Sequence, residues 1–313
     1  MSRFLMQKTK ITLGIYALLL LMVIIFIMVS PGSFSPHHLL NNFRQAAPLG
    51  IVAIGQTLVL LIGGIDLSVG AVISLTNVMA ASMMMGNDAN IGGTIAVTLL
   101  LAAFIGFVNG YTILKVKIPP FLVTLAMSLV IEGAYMVYTK GSPIGNIAQG
   151  FRIISDGWVG PLPVAGILWV VVWGIFAFLL YRVTWGRKVY ATGGNTQAAY
   201  LAGIKTPQII VTTYMLSSLL AGMAGLLISA YIGIASSGVG NIYTLNSIAA
   251  TVIGGTTFAG GAGGLAGTFA GVLIMSLLQS MMTMMNIPEA GKYISQGVII
   301  AVMVTINQRT VRR

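Results

Sequence analysis

Ten apolar segments alternate with short polar connections along the whole chain. A helix needs about 20 apolar residues to cross a bilayer. Hydrophobic residues make up 57% of the sequence and charged residues only 7%, which is unlike a soluble domain. Because backbone polar groups in lipid must be satisfied internally, such spans fold as helices. The sequence therefore predicts an all-α polytopic membrane protein with about ten transmembrane helices in a single domain, residues 1–313. The segments are 11–29, 46–62, 71–85, 92–114, 119–138, 163–181, 208–232, 246–259, 265–285 and 291–306.

Three of these segments need a further decision. The third, 71–85, and the eighth, 246–259, are short and have glycines beside them, so eight spans plus re-entrant pieces is the alternative. The first, 11–29, is longer than the apolar core of a signal peptide, about 7–15 residues. No small-residue cleavage site follows it, so we expect a retained span.

Lysine and arginine are unevenly distributed between the two sides of this arrangement. If the chain starts inside, only four of the sixteen basic residues lie outside, namely Arg44, Lys140, Arg152 and Lys292. Cytoplasmic loops are enriched in Lys and Arg, so both termini are predicted to be cytoplasmic. The basic residues form no stripe with interleaved aromatics, and no nucleic-acid partner is expected despite the net charge of +11. The inner residues are Arg3, Lys8, Lys10, Lys115, Lys117, Arg182, Arg187, Lys188, Lys205, Arg309, Arg312 and Arg313.

Groups that carry out enzymatic or metal chemistry are scarce. The chain has no cysteine, and its two histidines, His37 and His38, are adjacent in a predicted short loop. No metal site is predicted, since a site would need further ligands nearby. An enzyme would need a nucleophile–base pair or a metal cluster, and ATP binding would need a Gly-x4-Gly-Lys-Ser/Thr sequence, which does not occur. We therefore expect neither an enzyme nor a cofactor of its own.

Glycines interrupt the helical pattern at two places, Gly63–Gly70 and Gly254–Gly264. The first contains Asp66, and an ionisable side chain at membrane depth is costly, about 2.5–3.5 kcal/mol at a helix centre. Two roles stay open: Asp66 or Ser68 caps the following helix by accepting a backbone hydrogen bond, or Asp66 contacts or gates a solute. With ten spans both breaks lie on the inner half, either as paired constrictions or as packing elements.

Polar residues inside the spans are candidates for a translocation pathway. Neutral amides and hydroxyls predominate, without a basic cluster for an anion or a carboxylate set for a cation, which favours a neutral, hydroxyl-rich solute. An ion-coupled secondary transporter is the alternative, although ion relays usually contain more than two intramembrane acids. The candidate pathway or gating residues are Gln56, Asp66, Ser68, Asn109, Glu132 and Asn246.

The polar inner segment of residues 184–207 has the pattern of a compact element. We expect a turn at 193–195, a short helix at 196–201 that begins at a Ser/Thr/Asn-type cap, and a helix stop at Gly203. Pro207 separates this element from the next span. A short cytosolic helix in the middle of such a chain is suited to docking a soluble motor protein.

Four stretches resemble permease subunits of ATP-binding-cassette (ABC) importers, in particular the branch that transports ribose, galactose, xylose and related sugars. Gln197-Ala198-Ala199-x-x-x-Gly203 is similar to the Glu-Ala-Ala-x-x-x-Gly loop that contacts the ATPase, with Gln in place of the acid. The resemblance extends from about Ala46 to Arg309. The other three stretches are Gly-Ile-Asp-Leu-Ser-Val-Gly at 64–70, Tyr190–Ala199 and Ala249–Gly267.

The resemblance implies a multi-pass permease of the bacterial cytoplasmic (inner) membrane that imports a neutral monosaccharide by alternating access. It implies three kinds of partner: a cytoplasmic ABC ATPase that binds ATP and Mg²⁺, an extracytoplasmic sugar-binding protein, and a second permease copy or a sister permease. Coupling to the ATPase is expected at Gln197, Ala198, Ala199 and Gly203. Related branches share this plan, so a nucleoside or a branched-chain amino acid is an alternative solute.

Overall fold

The computed structural model describes residues 2–29 and 35–311, and these residues are almost entirely helical. The all-α prediction is confirmed. A two-stranded hairpin, β1 (Trp158–Val159) and β2 (Leu162–Pro163), lies in the connection between α6 and α7. The helices are α1 (Ser2–Val29), α2 (Pro36–Leu61), α3 (Val69–Met84), α4 (Ile91–Val116), α5 (Pro120–Thr139), α6 (Ile153–Asp156), α7 (Val164–Arg182), α8 (Thr184–Gly194), α9 (Thr196–Leu201), α10 (Thr206–Ile232), α11 (Asn241–Ile253), α12 (Leu265–Met284) and α13 (Glu289–Val311).

Six helices are long and apolar enough to cross a membrane, by length and composition over the described residues: α2, α4, α5, α7, α10 and α12. Shorter apolar helices lie within α1, at Thr12–Met28, and at α3. The other two predicted segments coincide with α11 and α13. A polytopic helical membrane protein is therefore confirmed, whereas ten crossings and cytoplasmic termini stay predictions. Arg312 and Arg313, which contributed to the predicted orientation, lie outside the described residues.

Helices α2 and α10 form the centre of the bundle. Helix α2 packs against α7, α10, α11 and α12, and α10 also packs against α3 and α4. In the most apolar window of α2, 89% of the residues are buried, against 28% for α4 and 22% for α5. Since an apolar helix needs either protein or lipid around it, the exposed faces of α4 and α5 are available to lipid or to another protein.

Helix α2 begins at Pro36, whereas the prediction began this span at residue 46. The Ser35 side chain accepts a hydrogen bond from the His38 N–H (3.2 Å), and Pro36 occupies the first helical turn. Both features are typical of helix starts. His37 and His38 therefore lie in the first turn of a helix, and the prediction of a loop was wrong. Polar residues that face a cavity interrupt the apolar pattern here.

Both predicted breaks in the helices are present. Helix α2 ends at Leu61 and α3 begins at Val69, while α11 ends at Ile253 and α12 begins at Leu265. The prediction extended α11 to residue 259. The helix ends earlier because the chain continues through glycines with positive φ, a conformation that side chains with a Cβ rarely adopt.

The segment of residues 184–207 forms two helices where one was predicted. Helix α8 runs through Gly193 and Gly194, so the predicted turn at these two residues was wrong, and the chain turns at Asn195 instead. The second helix, α9, has the predicted bounds. Gly193 serves a close approach between main chains, described below, rather than a turn.

Candidate functional site

A cavity of about 570 Å³ opens at the end of the bundle where α2, α11 and α13 begin and where α10 and α12 end. We call it the large cavity. This volume lies within the range of about 300–1,000 Å³ that is common for small-molecule sites. Its polar lining consists mainly of amides, hydroxyls and two phenols. These residues are His38, Asn41, Asn42, Gln45, Ser155, Tyr231, Tyr243, Ser276, Gln279, Ser280 and Thr283.

The charged residues that line the large cavity are paired with opposite charges. Arg44 lies 3.3 Å from Asp156, and its guanidinium also lies over the Tyr231 ring, 5.4 Å from the centroid. Lys292 lies 3.8 Å from Glu289. An ionic solute would have to compete with these pairs, whereas a neutral solute would leave them undisturbed.

A second, enclosed cavity of about 70 Å³ lies deeper along α2. We call it the small cavity. Its lining includes Gln45, Tyr243 and Gln279, which also line the large cavity, and Asn246, which lines only the small one. Asn246 is only 2% exposed, and its Oδ1 has no hydrogen-bond partner in the protein. The small cavity therefore continues the polar lining of the large one, with room for only a few water molecules.

Gln56 lies on the same face of α2 as Gln45 and Leu49, which both line the small cavity. Eleven residues make about three helical turns, so Gln56 follows Gln45 about 16 Å further along the axis. It is fully buried, and neither its Oε1 nor its Nε2 has a partner in the protein. A buried polar group without a partner costs about 1–3 kcal/mol.

Three other predicted site residues, Asp66, Ser68 and Asn109, form one buried network with Ser217. Asp66 Oδ1 accepts from the Ser68 N–H (3.0 Å) and Oγ (2.6 Å), and Oδ2 accepts from Ser217 Oγ (2.9 Å). Asn109 Nδ2 donates to Ser68 Oγ (2.9 Å). All four residues are fully buried and line neither cavity. Asp66 therefore holds the N–H and hydroxyl of Ser68, the residue directly before α3, while no side chain caps the first turn of that helix.

Glu132, the last of the predicted pathway residues, lies apart from the others. It is partly buried on α5, a helix with most of its surface exposed. It lines neither the large nor the small cavity. The predicted residues therefore divide into Asn246 at the small cavity, Gln56 further along α2, the Asp66 network, and Glu132 elsewhere.

The two helix breaks contact each other through their backbones. The Gly261 N–H donates to the Leu61 carbonyl at the end of α2 (2.9 Å). A Cβ on Gly260 would lie 2.9 Å from the Gly63 nitrogen, closer than real Cβ atoms come. The pairing of the two breaks thus depends on glycine at this position.

The end of α8 enters the same contact. A Cβ on Gly193 would collide with the Leu61 carbonyl oxygen and lie 2.8 Å from the Gly261 nitrogen, whereas a Cβ on Gly194 would meet no atom within 4 Å. We call Leu61, Gly63, Gly193, Gly260 and Gly261 the glycine junction. It joins both breaks to the segment of residues 184–207.

Tyr190 adds a side-chain contact beside the glycine junction. Its hydroxyl donates to the Gly263 carbonyl (2.9 Å). Burial raises the pKa of the Tyr190 phenol, which keeps the group protonated and able to donate at neutral pH. Helix α8 is therefore held to the second break by both main-chain and side-chain contacts.

Helix α9 projects from this region and carries the predicted coupling residues. Asn195 Oδ1 accepts from the Ala198 N–H (2.9 Å), and Gly203 beyond the helix has φ +83°. Gln197 and Ala198 are exposed, while Ala199 is 5% exposed and anchors the helix. Two large exposed side chains, Tyr200 (61%) and Leu201 (81%), were not predicted as site residues. Apolar groups presented on an otherwise polar element are typical of a protein contact.

Several cavity residues were also not predicted, although their spacing contains a signal. Ser276, Gln279, Ser280 and Thr283 recur at i, i+3, i+4 and i+7, which is one face of α12. The amides and charges near the start of α2 were assigned to a loop. Polar residues at helical spacing beside an apolar span would have identified both sets.

A helical membrane protein with a polar cavity at one end, and an exposed short helix next to two helix breaks in contact, has the features of a solute permease. Residues 38–306 match the family described as "Branched-chain amino acid transport system / permease component", and the chain belongs to this family. Nothing among the solved structures matches the chain.

Curated relatives match over nearly their whole length. The chain is 35% identical to the ribose import permease RbsC of Bacillus subtilis (strain 168) over 314 residues, 97% of this chain and 94% of the relative. It is 36% identical to RbsC of Escherichia coli (strain K12) over 302 residues, 93% and 92% of the two chains. Identity to the xylose transport system permease XylH of Escherichia coli (strain K12) is 30% over 359 residues, 95% and 91%. The resemblance drawn from the four motifs is confirmed, and the protein is a multi-pass permease subunit of the bacterial cytoplasmic membrane.

Proposed function

We propose that the protein is the permease subunit of an ABC importer and that it carries a neutral monosaccharide inward by alternating access. The large cavity is the observation that carries this proposal, because it combines amides, hydroxyls and phenols with fully paired charges. Sugar hydroxyls both donate and accept, as amide groups do. The relatives named above are a ribose import permease and a xylose transport permease, and both sugars are neutral polyols.

The alternative solutes and energy sources fit the described residues less well. A branched-chain amino acid carries two charges, and the charged groups of the cavity lining are already paired. An ion-coupled mechanism would need a carboxylate that exchanges a cation. Asp66 instead accepts three hydrogen bonds inside a closed network.

The energy for transport comes, in this proposal, from a separate cytoplasmic ATPase that binds ATP and Mg²⁺. Helix α9 is its docking element, with Gln197, Ala198 and Gly203 presented to the partner and Tyr200 and Leu201 as apolar contacts. Movement of α9 and α8 reaches the membrane path through the glycine junction. Support for this route is the main-chain contact of Gly193 with both breaks.

The predicted topology places the two ends of the bundle on opposite sides of the membrane. With ten spans and cytoplasmic termini, α8, α9 and the glycine junction lie inside and the large cavity opens outward. An extracytoplasmic sugar-binding protein would then deliver its sugar to the cavity. A second copy of this chain, or a sister permease, completes the membrane unit.

Sugar uptake by proteoliposomes tests the proposal. They contain the permease with its candidate ATPase and binding protein, and the uptake of labelled ribose and xylose is measured with and without ATP. Gly203→Pro should abolish uptake while membrane insertion is retained, because proline cannot adopt φ +83°. Gly203→Asn is the matched control and should retain uptake, since Asn tolerates positive φ.

Two outcomes would contradict the proposal. Uptake driven by an ion gradient in the absence of the ATPase would exclude the ABC mechanism. Competition by leucine or a nucleoside that matches competition by unlabelled ribose and xylose would exclude a sugar-selective permease.

A further inference from the structure

Within the described residues, eight side chains have a buried polar atom that lacks a hydrogen-bond partner in the protein. Five of the eight are amides on α2, α11, α12 and α13: Asn42, Asn246 and Gln279 line the cavities, and Gln56 and Gln296 lie further along two of these helices. The other three, Asn109, Thr192 and Ser218, line neither cavity. We call the five amides the amide row: Asn42, Gln56, Asn246, Gln279 and Gln296.

Helical spacing places the two deepest members of the amide row in line with the cavities. Gln56 lies about three turns beyond Gln45 on the same face of α2. Gln296 follows Glu289 and Lys292, which line the large cavity, at i+7 and i+4 on α13. Gln296 is 1% exposed and Gln56 fully buried. Both residues therefore lie further along their helices than the cavity-lining residues of α2 and α13.

We propose that the amide row is a solute-binding track within the permease itself, and that Gln56 binds the hydroxyls of a neutral polyol after it has passed the small cavity. This rests on the proposed function. Gln56 and Gln296 each leave both a donor and an acceptor unpartnered, which matches a hydroxyl, and buried amide groups without protein partners are left for water or a solute. The small cavity, about 70 Å³, must widen before a sugar reaches Gln56.

Packing alone does not explain why the amides of the amide row are buried. An amide whose function is structural is expected to have at least one protein partner, as Asn109 does when its Nδ2 donates to Ser68. Gln56 has none, although it lies in the most buried helix of the bundle. When Gln56 faces the path during the transport cycle, the solute would provide the hydrogen-bond partner that Gln56 lacks in the described conformation.

Gln56→Met tests the solute contact, because it keeps the volume and removes the amide. Uptake at saturating sugar and binding protein should fall about 10-fold, equivalent to about 1.4 kcal/mol, while ATP hydrolysis changes less than about twofold. Thermal stability should stay equal or rise, since an unpartnered polar group is removed. Ser218→Ala is the matched control, because it removes another buried unpartnered group that lines neither cavity, and its uptake should be unchanged. Uptake by Gln56→Met within about twofold of wild type would overturn the proposal.

Cysteine accessibility supplies a second readout that does not depend on which solute is transported. The chain has no native cysteine, so single variants can be probed in nanodiscs with a small thiol reagent. Gln56→Cys should be unreactive at rest and reactive during ATP turnover, and saturating ribose should slow the reaction. Ser218→Cys should be unreactive in both states. If Gln56→Cys never reacts, or if Ser218→Cys reacts equally, the amide row is not the path.

The two readouts distinguish this inference from the proposed function. If the wild-type complex hydrolyses ATP but imports no sugar, the sugar assignment fails, and the accessibility of Gln56→Cys still decides whether the amide row lies on the path. If sugar is imported and both Gln56 variants behave like the Ser218 controls, only the inference fails.

Discussion

The two ends of the bundle differ in how tightly their buried polar groups are packed and paired. Around the glycine junction, the Asp66 carboxylate accepts three hydrogen bonds and main chains touch where only glycine fits. At the cavity end, Asn246 beside the small cavity and Gln56 further along α2 are just as buried but have unpartnered atoms, and space is left open beside Asn246. Close packing transmits displacement, whereas open space with unused donors and acceptors admits a solute. The molecule thus has a stiff end, around the glycine junction, and a receptive end, at the cavities.

The largest expected effect tests whether the junction is stiff. Gly193→Ala adds a Cβ that collides with the Leu61 carbonyl, and overpacking of this kind costs about 1–3 kcal/mol. Uptake should fall about 100-fold, equivalent to about 2.7 kcal/mol, with the ATPase still bound to the permease. Gly194→Ala, with open space around the added atom, should keep uptake within about twofold of wild type. Equal behaviour of the two variants would show that the junction transmits nothing.

An intermediate effect is expected for the Asp66 network. Asp66→Ala leaves the Ser68 N–H and both serine hydroxyls without their acceptor, so the free energy of unfolding should fall by about 2–3 kcal/mol. Asp66→Asn keeps one acceptor oxygen and should lose about half as much. Thermal unfolding of the detergent-solubilised protein measures both. An Asp66→Ala variant as stable as wild type, but inactive in transport, would assign Asp66 to the solute path instead of a stabilising role.

The smallest effect compares two adjacent serines on α10, both fully buried. Ser217 donates to Asp66 (2.9 Å), whereas Ser218 Oγ has no partner in the protein. Ser217→Ala should therefore lower the free energy of unfolding by about 1 kcal/mol, and Ser218→Ala should leave it unchanged or slightly higher. The same thermal measurement distinguishes them. Equal losses of unfolding free energy at the two positions would mean that the hydrogen bond from Ser217 to Asp66 makes no measurable difference to stability.

Local signals predicted much of the stiff end. Asn195 and Gly203 delimit α9 because capping and helix termination depend on residues within one turn of each other. The breaks were predicted from their glycines for the same reason. The contact of Gly193 with Leu61 and Gly261 was not predictable, since it joins three segments far apart in sequence and nothing local indicates which glycine is in close contact.

Less of the receptive end could be predicted. Gln56 and Asn246 were identified because an amide inside an apolar span stands out. Asn42 and Gln45 were assigned to a loop, since polar residues facing a cavity break the apolar pattern of α2 just as loop residues would. Whether a buried amide has a partner depends on neighbouring helices, so the contrast between Gln56 and Asp66 appears only in three dimensions.

The hydrogen bond from the Gly261 N–H to the Leu61 carbonyl can be followed by hydrogen–deuterium exchange. The donor lies in the second helix break and its acceptor lies where the first break begins. Exchange of this hydrogen with deuterium therefore requires the two breaks to separate. The rate of deuterium uptake at a single backbone atom therefore measures how often the stiff end opens, whichever solute is present.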